Sequence, residues 1–347
     1  MKIFSFVFVA LCTVGLVACV NEDISFEKGN ISRDIAYKLV LKELKEWNIS
    51  LNEVDIWASE QKVAGNTGGF GSDDNLTSPD SESWFFLVDE RPLDNWGHPC
   101  RYLFVDMNGI VYVYQQTMPP KFFDDMVLLN VSETTKNYNY YPITPTKKGT
   151  RSEDIPLLSH HYAIIISGGW SSTLNFPRYW NDCAEIYTTL TDQYGYDPSK
   201  IFVLMADGTD PGIDNSLNES SNPDLDGDSI DDIDFAATCS NLDSVFDSLA
   251  VHLTTDDYLF IYTIDHGDID WFLDDSFLAM WNNEKYFASR FANKVHSITA
   301  KAIHIVMGQC HSGGFVEYFT NTPNVCISTA CGKYEDSHPS VNGLYDE

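Results

Sequence analysis

Apolar and polar positions follow two different patterns along the chain, and the pattern changes near residue 158. In the first part, residues 32–47 carry apolar side chains at helical spacing, with Ser32 placed to cap the helix. Three stretches rich in β-branched and aromatic residues predict strands at 54–59, 83–90 and 100–116, the last with the hairpin signal Met107-Asn108-Gly109. Residues 20–145 are therefore predicted to form a small α+β N-terminal domain.

From residue 158 onward, strands that are apolar along their whole length alternate with amphipathic helices. Strands are predicted at 161–167, 200–207, 257–265, 302–308 and 324–329, and helices at 178–195, 240–253, 284–298 and from 314 onward. This alternation predicts an α/β domain over 158–347, with a mostly parallel sheet flanked by helices. The stretch 142–157, with prolines, threonines and local positive charge, contains the predicted linker at 146–157.

The first 19 residues have the pattern of an export signal. Lys2 precedes an apolar stretch that is too short and too poorly flanked for a stable membrane span. Leu16-Val17-Ala18-Cys19 resembles a bacterial lipobox, in which the cysteine is lipidated. The sequence thus predicts an exported protein that is lipid-anchored in the bacterial cell envelope through Cys19. An ordinary secretory signal cleaved nearby is the alternative.

Composition narrows the range of partners. The chain has 51 acidic and 21 basic residues among 347, for a formal net charge of -30. Nucleic acid and anionic membrane surfaces would repel such a chain, so membrane contact is expected only through the N-terminal lipid anchor. Six cysteines remain outside the signal, and their scattered positions argue against a disulfide scaffold or a structural zinc site. A bridge between Cys326 and Cys331 is left open.

Reactive residues follow two of the predicted strands. The strand at 257–265 leads into His266-Gly267, and the strand at 302–308 leads into Gln309-Cys310. Chemistry in an open parallel sheet collects beyond the carboxyl ends of the strands, so neighbouring strands would set these residues side by side. His266 then serves as base for the thiol, and backbone N–H groups of Gly267 and Cys310 stabilise the oxyanion.

Two further expectations concern the residues around Cys310. A helix beginning near Ser312 would direct its positive end at the thiol and lower the pKa of Cys310. Zinc held by His266, Cys310 and His311 is a weaker alternative, because a fourth ligand is missing.

A family resemblance rests on these segments. "FIYTIDHGD" and "IHIVMGQCHSGG" resemble the legumain-like cysteine peptidases, asparaginyl endopeptidases of caspase-like fold. The upstream "HYAIIISGGWSSTLNFPRYWNDCAEIY" and the downstream "ISTACGKYEDS" are similar to the same family, so the resemblance spans about residues 160–340. It implies a caspase-like fold for the second domain and leaves the N-terminal domain outside.

The resemblance also implies roles for individual residues. Cys310 is the nucleophile, His266 the general acid/base, and Gly267 part of the oxyanion hole. Asn175 matches, with an offset of one residue, the asparagine that orients the histidine. Arg178 matches the arginine that binds the Asn or Asp side chain in the first specificity pocket, with Ser328 and Thr329 lining it. Gly308 departs from the family, which carries an acidic residue there, and this favours an acidic substrate residue or relaxed specificity.

An acidic loop in the second domain suggests calcium. Asp224, Asp226, Asp228 and Asp232 offer carboxylates at spacings that suit this ion, although the loop is not an EF-hand. A solvated loop without metal is the alternative. The chemistry of a Cys-His pair requires no cofactor, so the ion would be structural.

The sequence therefore predicts a cysteine endopeptidase that acts on proteins or peptides and cuts after Asn or Asp through a thioester. The N-terminal domain is interpreted as an inhibitory propeptide or a docking module. Three alternatives stay open: an Arg- or Lys-directed peptidase of the same fold, a transpeptidase, and a catalytically silent, calcium-stabilised surface-binding protein.

Overall fold

The computed structural model describes residues 24, 26, 28–70, 76–94, 96–137, 157–340 and 346. The signal segment with Cys19 and residues 146–156 of the predicted linker lie outside the described residues. Within the described part of the chain, no helix has both the length and the apolar character that a membrane crossing needs.

In the N-terminal region a long helix packs on an antiparallel sheet. Helix α1 (Arg33–Glu46) starts after Ser32, whose hydroxyl accepts a hydrogen bond from the Ile35 N–H. The sheet has strand order β4-β3-β2-β1-β5. Its strands are β1 (Asp55–Ser59), β2 (Ser83–Asp89), β3 (Cys100–Asp106), β4 (Val111–Gln116) and β5 (Met126–Asn130), followed by the short helix α2 (Glu133–Asn137). The sequence pattern did not reveal β5 or α2.

The second domain is built on a five-stranded sheet of order β13-β12-β8-β6-β7, in which all neighbouring pairs are parallel. Its strands are β6 (His161–Ser167), β7 (Ile201–Met205), β8 (Tyr258–Ile264), β12 (Ala302–Met307) and β13 (Val325–Thr329). The helices are α3 (Pro177–Thr188), α4 (Cys239–His252) and α5 (Ala288–His296). The apolar side chains of α3 cover one face of the sheet, and those of α4 and α5 cover the other. A parallel sheet with helices on both faces is what the alternating pattern predicted.

A second small sheet interrupts this alternation. Strands β9 (Gly267–Asp270), β10 (Asp275–Met280) and β11 (Glu284–Phe287) form an antiparallel meander directly after β8. Because β11 takes up residues 284–287, the helix predicted from 284 begins only at Ala288.

One apolar cluster joins the two domains. Phe85 and Phe104 of the N-terminal sheet share this cluster with Trp170, Leu174 and Phe277 of the second domain, and all five are buried. The N-terminal domain therefore packs firmly against the second domain. Each of the six cysteines in the described residues is free, so the Cys326–Cys331 bridge does not form.

Candidate active site

Parallel pairing of β8 and β12 brings His266 and Cys310 to the same edge of the sheet. Thr263 pairs with Met307 at the ends of the two strands, and each reactive residue is the third after its paired residue. The backbones touch there, since a Cβ added to Gly267 would lie 2.4 Å from the carbonyl oxygen of Cys310. Only glycine fits at position 267 because the neighbouring main chain fills that space.

The Cys310 thiol is covered in this structure. The residue is 1% exposed, and the backbone N–H of Ser337 donates a hydrogen bond to Sγ at 3.2 Å. Burial raises the pKa of Cys310 well above its ordinary value. The expected lowering of this pKa is therefore wrong for this state. Residues Ser312–Phe319 form a 3₁₀ helix, and the left-handed His311 separates it from the thiol.

The His266 ring is held by backbone groups on both nitrogens. Its Nε2–H donates to the carbonyl oxygen of Leu174 at 2.9 Å, and its Nδ1 accepts the backbone N–H of Trp96 at 2.7 Å. These partners define a neutral imidazole with the proton on Nε2. Burial lowers the pKa of His266 well below its ordinary value, which keeps the ring neutral.

Asn175 has a different contact from the one expected. Its side-chain amide donates to the carbonyl oxygen of Asp214 at 2.7 Å, and the histidine is oriented by the carbonyl of the preceding residue, Leu174. Sequence reasoning missed Leu174 because a backbone carbonyl acts there, and its side chain gives no signal. Asn175 instead stabilises the loop that carries this carbonyl.

Arg178 binds a carboxylate in a buried setting. Its Nε lies 3.0 Å from Oδ1 of Asp346, and the two side chains are 1% and 2% exposed. The guanidinium also donates to the carbonyl oxygen of Leu93 and to the hydroxyl of Tyr179, at 3.1 and 3.0 Å. A guanidinium in these surroundings is suited to recognising a carboxylate or an amide oxygen.

Ser328 and Thr329 lie on the edge strand β13, paired with Val306 and Met307 of β12. Arg178 lies on α3, which follows β6 on the far side of β8. After β13 the chain runs back to Cys310, where the backbone N–H of Ser337 bonds to the thiol. Lining of the first pocket by Ser328 and Thr329 stays a prediction.

A segment of the N-terminal domain crosses the site, and we call it the strap: residues 91–94 and 96–98. Besides the Trp96 bond to His266, the Gly97 carbonyl accepts Nε2–H of His311 at 3.0 Å. A Cβ on Gly97 would lie 2.3 Å from the Gly267 oxygen and 3.1 Å from Cβ of Cys310, so the strap rests directly on both reactive segments. Sequence reasoning missed these residues, because the strap acts through its main chain.

Three carboxylates of the acidic loop converge. Oxygen atoms of Asp224, Asp226 and Asp232 all lie within 4.8 Å of one another, whereas Asp228 falls outside the group and accepts the N–H of Ile230. Carboxylate oxygens at this spacing suit Ca²⁺, although the Asp224 carboxylate also accepts N–H groups of its own loop. Calcium binding stays a prediction.

A cysteine and a histidine at adjoining ends of parallel strands are the groups that a cysteine peptidase needs. Residues 161–343 match the model of the Peptidase C13 family, and the chain belongs to this family. It is thus a cysteine-type peptidase whose substrates are proteins or peptides. No curated protein matches. A solved structure of a protein from Geobacter sulfurreducens shares 10% identity, covers 54% of this chain and 77% of its own, and has a TM-score of 0.35.

Proposed function

We propose that the chain is an endopeptidase that cuts after Asn or Asp, with Cys310 as nucleophile and His266 as general acid/base. The observation that carries the proposal is the parallel pairing of β8 and β12, which sets Gly267 against Cys310. The Cys310 sulfur attacks the carbonyl carbon while its proton moves to Nδ1 of His266. The imidazolium then protonates the leaving amine, and water hydrolyses the thioester. The N–H groups of Gly267 and Cys310 stabilise the oxyanion.

Arg178 supports the specificity for Asn or Asp. Its buried guanidinium already binds the carboxylate of Asp346, the kind of group that a substrate Asp presents. A basic substrate residue in that pocket would face the like charge of the Arg178 guanidinium, which disfavours the Arg- or Lys-directed alternative. Transpeptidation uses the same thioester and differs only in the amine that resolves it.

The N-terminal domain keeps the enzyme latent in this proposal. The nitrogen that must receive the thiol proton, Nδ1 of His266, is engaged by Trp96, and Gly97 fills the space in front of Cys310. Arg91 of the strap also pairs with Asp336 at 2.7 Å, beside the residue that holds the thiol. A substrate can approach the sulfur only after the strap has moved.

The decisive test uses fluorogenic peptides with Asn, Asp, Arg or Lys before the scissile bond. They are assayed before and after limited trypsin treatment, for which Lys147, Lys148 and Arg151 of the predicted linker offer sites. We expect little activity before treatment, and cleavage after Asn or Asp following it. The Cys310→Ala chain is the control. With trypsin inhibited before the assay, equal activity in that variant refutes the nucleophile, and no cleavage by the treated wild-type chain favours the silent binding protein.

Export with a lipid anchor on Cys19 is part of the proposal. Its support is the lipobox-like Leu16-Val17-Ala18-Cys19 in the sequence. Mass spectrometry of the mature N-terminus after expression in a bacterial host tests it. A diacylated Cys19 that is lost in Cys19→Ser supports the anchor, and an unmodified N-terminus nearby supports the secreted alternative.

A further inference from the structure

The hairpin between β9 and β10 exposes three large hydrophobic side chains in a row. Trp271, Phe272 and Leu273 are 62%, 89% and 57% exposed. Across the described residues, no other consecutive run of large hydrophobic side chains is exposed in this way. Isolated exposed hydrophobic residues are ordinary, but a contiguous group marks an interaction surface.

Polar contacts fix the shape of this tip. The Asp270 carboxylate accepts the N–H groups of Phe272 and Leu273 at 3.1 and 3.0 Å. Tyr334, 60% exposed, stacks on Trp271 with ring centroids 5.8 Å apart, and its hydroxyl donates to Asp274 at 3.0 Å. The tip is thus ordered before any partner arrives, which lowers the entropic cost of binding.

The tip adjoins the reactive cysteine through His311. The Trp271 ring meets the His311 ring edge to face, with centroids 6.5 Å apart, and His311 directly follows Cys310. The same imidazole binds the Gly97 carbonyl of the strap at 3.0 Å. A peptide that replaced the strap would therefore run past His311 and reach Trp271.

We propose that Trp271, Phe272, Leu273 and Tyr334, the hydrophobic tip, bind apolar side chains of an extended peptide substrate next to the scissile bond. The proposal rests on the peptidase function above and adds a preference for substrates with apolar residues flanking the cut. The carboxylates of Asp270 and Asp274 border the tip, and Lys333 pairs with Asp274 at 3.2 Å. The remaining negative charge repels anionic lipid headgroups, which favours a peptide over a membrane surface as the partner.

The test compares two fluorogenic peptides with Asn before the scissile bond, one flanked on both sides by Leu-Phe and the other by Ser-Ser. In the trypsin-treated Trp271→Ser/Phe272→Ser double variant, we expect KM for the Leu-Phe peptide to rise about tenfold or more, as lost burial of a large side chain predicts. Hydrolysis of the Ser-Ser peptide and the rate of Cys310 alkylation stay at the wild-type level. Tyr194→Ser, which removes an aromatic side chain 61% exposed elsewhere, is the matched control.

Peptide binding is measured separately from catalysis, so that a failure of the peptide-binding tip can be told from a failure of the peptidase function. Fluorescence polarisation of the labelled Leu-Phe peptide is recorded on the trypsin-treated Cys310→Ala chain with and without the double substitution. Loss of binding in the double variant supports the docking surface even if no peptide is hydrolysed. Equal binding by both chains overturns it. The double variant could also bind the peptide normally but no longer cosediment with phosphatidylglycerol vesicles. That result overturns the proposal and makes the tip a membrane-binding surface.

Discussion

The backbone N–H of Trp96 donates a 2.7 Å hydrogen bond to Nδ1 of His266, and this contact links the N-terminal domain to the proposed base. Since Leu174 accepts the proton on Nε2, Nδ1 is the nitrogen left to act as base. The contact thus occupies the one lone pair that the thiol needs. It is made by a main-chain group, and the buried Trp96 side chain holds that group in place by packing in the apolar cluster that joins the two domains.

Substituting Gly97 is expected to dislodge the strap. In Gly97→Ala the new methyl group meets the Gly267 oxygen at 2.3 Å, and the backbone φ of +120° adds strain. We expect iodoacetamide to label Cys310 at least several-fold faster than in the wild-type chain, as measured by peptide mass spectrometry. Gly29→Ala is the control, because Gly29 also has a positive φ but open space around it. Equal labelling rates in the two variants would contradict the latency proposal.

Replacing Arg178 tests both the pocket and its buried ion pair. In Arg178→Lys the planar guanidinium that bonds to Asp346, Leu93 and Tyr179 is lost, and we expect the free energy of unfolding to fall by about 2 kcal/mol, as for hydrogen bonds to charged groups. After activation, kcat/KM for Asn and Asp peptides should fall by more than tenfold. Arg290→Lys changes an exposed pair with Asp243 and should cost less than about 1 kcal/mol. If Arg178→Lys still cleaves after Asn and Asp as the wild-type chain does, Arg178 does not bind the substrate side chain.

The sequence predicted the second domain well because its strands are apolar along their whole length. Strands β8 and β12 ended within one residue of the predicted positions, and this was enough to bring His266 and Cys310 to one edge. Meander β9–β11 was missed because Asp268, Asp270, Asp274 and Asp275 break the apolar runs that reveal strands. Asp268 and Asp275 are nevertheless buried, and each accepts a hydrogen bond from a hydroxyl, of Thr117 and Ser289 respectively.

The strap could not be predicted from the sequence. Its contacts with His266 and His311 use the N–H of Trp96 and the carbonyl of Gly97, groups that almost every residue carries. Burial of Cys310 was equally hidden, since it depends on Ser337, far along the chain. Side-chain chemistry predicted Cys310 and His266 as the catalytic pair, whereas the burial of both residues depends on main-chain packing between distant segments.

Stability should fall as pH rises, because Asp182 keeps its proton in the folded chain. Burial, with the nearby Asp346 carboxylate, raises the pKa of Asp182 from 3.8 to about 8. The folded chain therefore holds a proton that the unfolded chain releases, so the contribution of Asp182 to stability is full below about pH 4 and declines towards pH 8. Asp265, with a pKa raised to about 7 mainly by burial, acts in the same direction.

The variant Asp182→Asn isolates this effect, because its amide oxygen can still accept the N–H of Asp346. Urea unfolding midpoints at pH 5 and pH 8 should differ less in this variant than in the wild-type chain. One pKa unit corresponds to about 1.4 kcal/mol, so the change is measurable. The exposed Asp80→Asn is the control. An identical pH dependence in all three chains would show that Asp182 is ionised in the fold.

Calcium should stabilise the second domain through the acidic loop if Asp224, Asp226 and Asp232 bind it together. An ion at 100 times its dissociation constant adds about 2.7 kcal/mol, which appears as a higher Tm in differential scanning calorimetry. Asp226→Asn removes one of the converging carboxylates and should abolish the rise. Asp228→Asn changes a residue of the same loop that lies outside the three converging carboxylates, so this variant should still show the rise in Tm. Equal responses of the two variants would mean that calcium binds elsewhere, and no response of the wild-type chain would leave a solvated acidic loop.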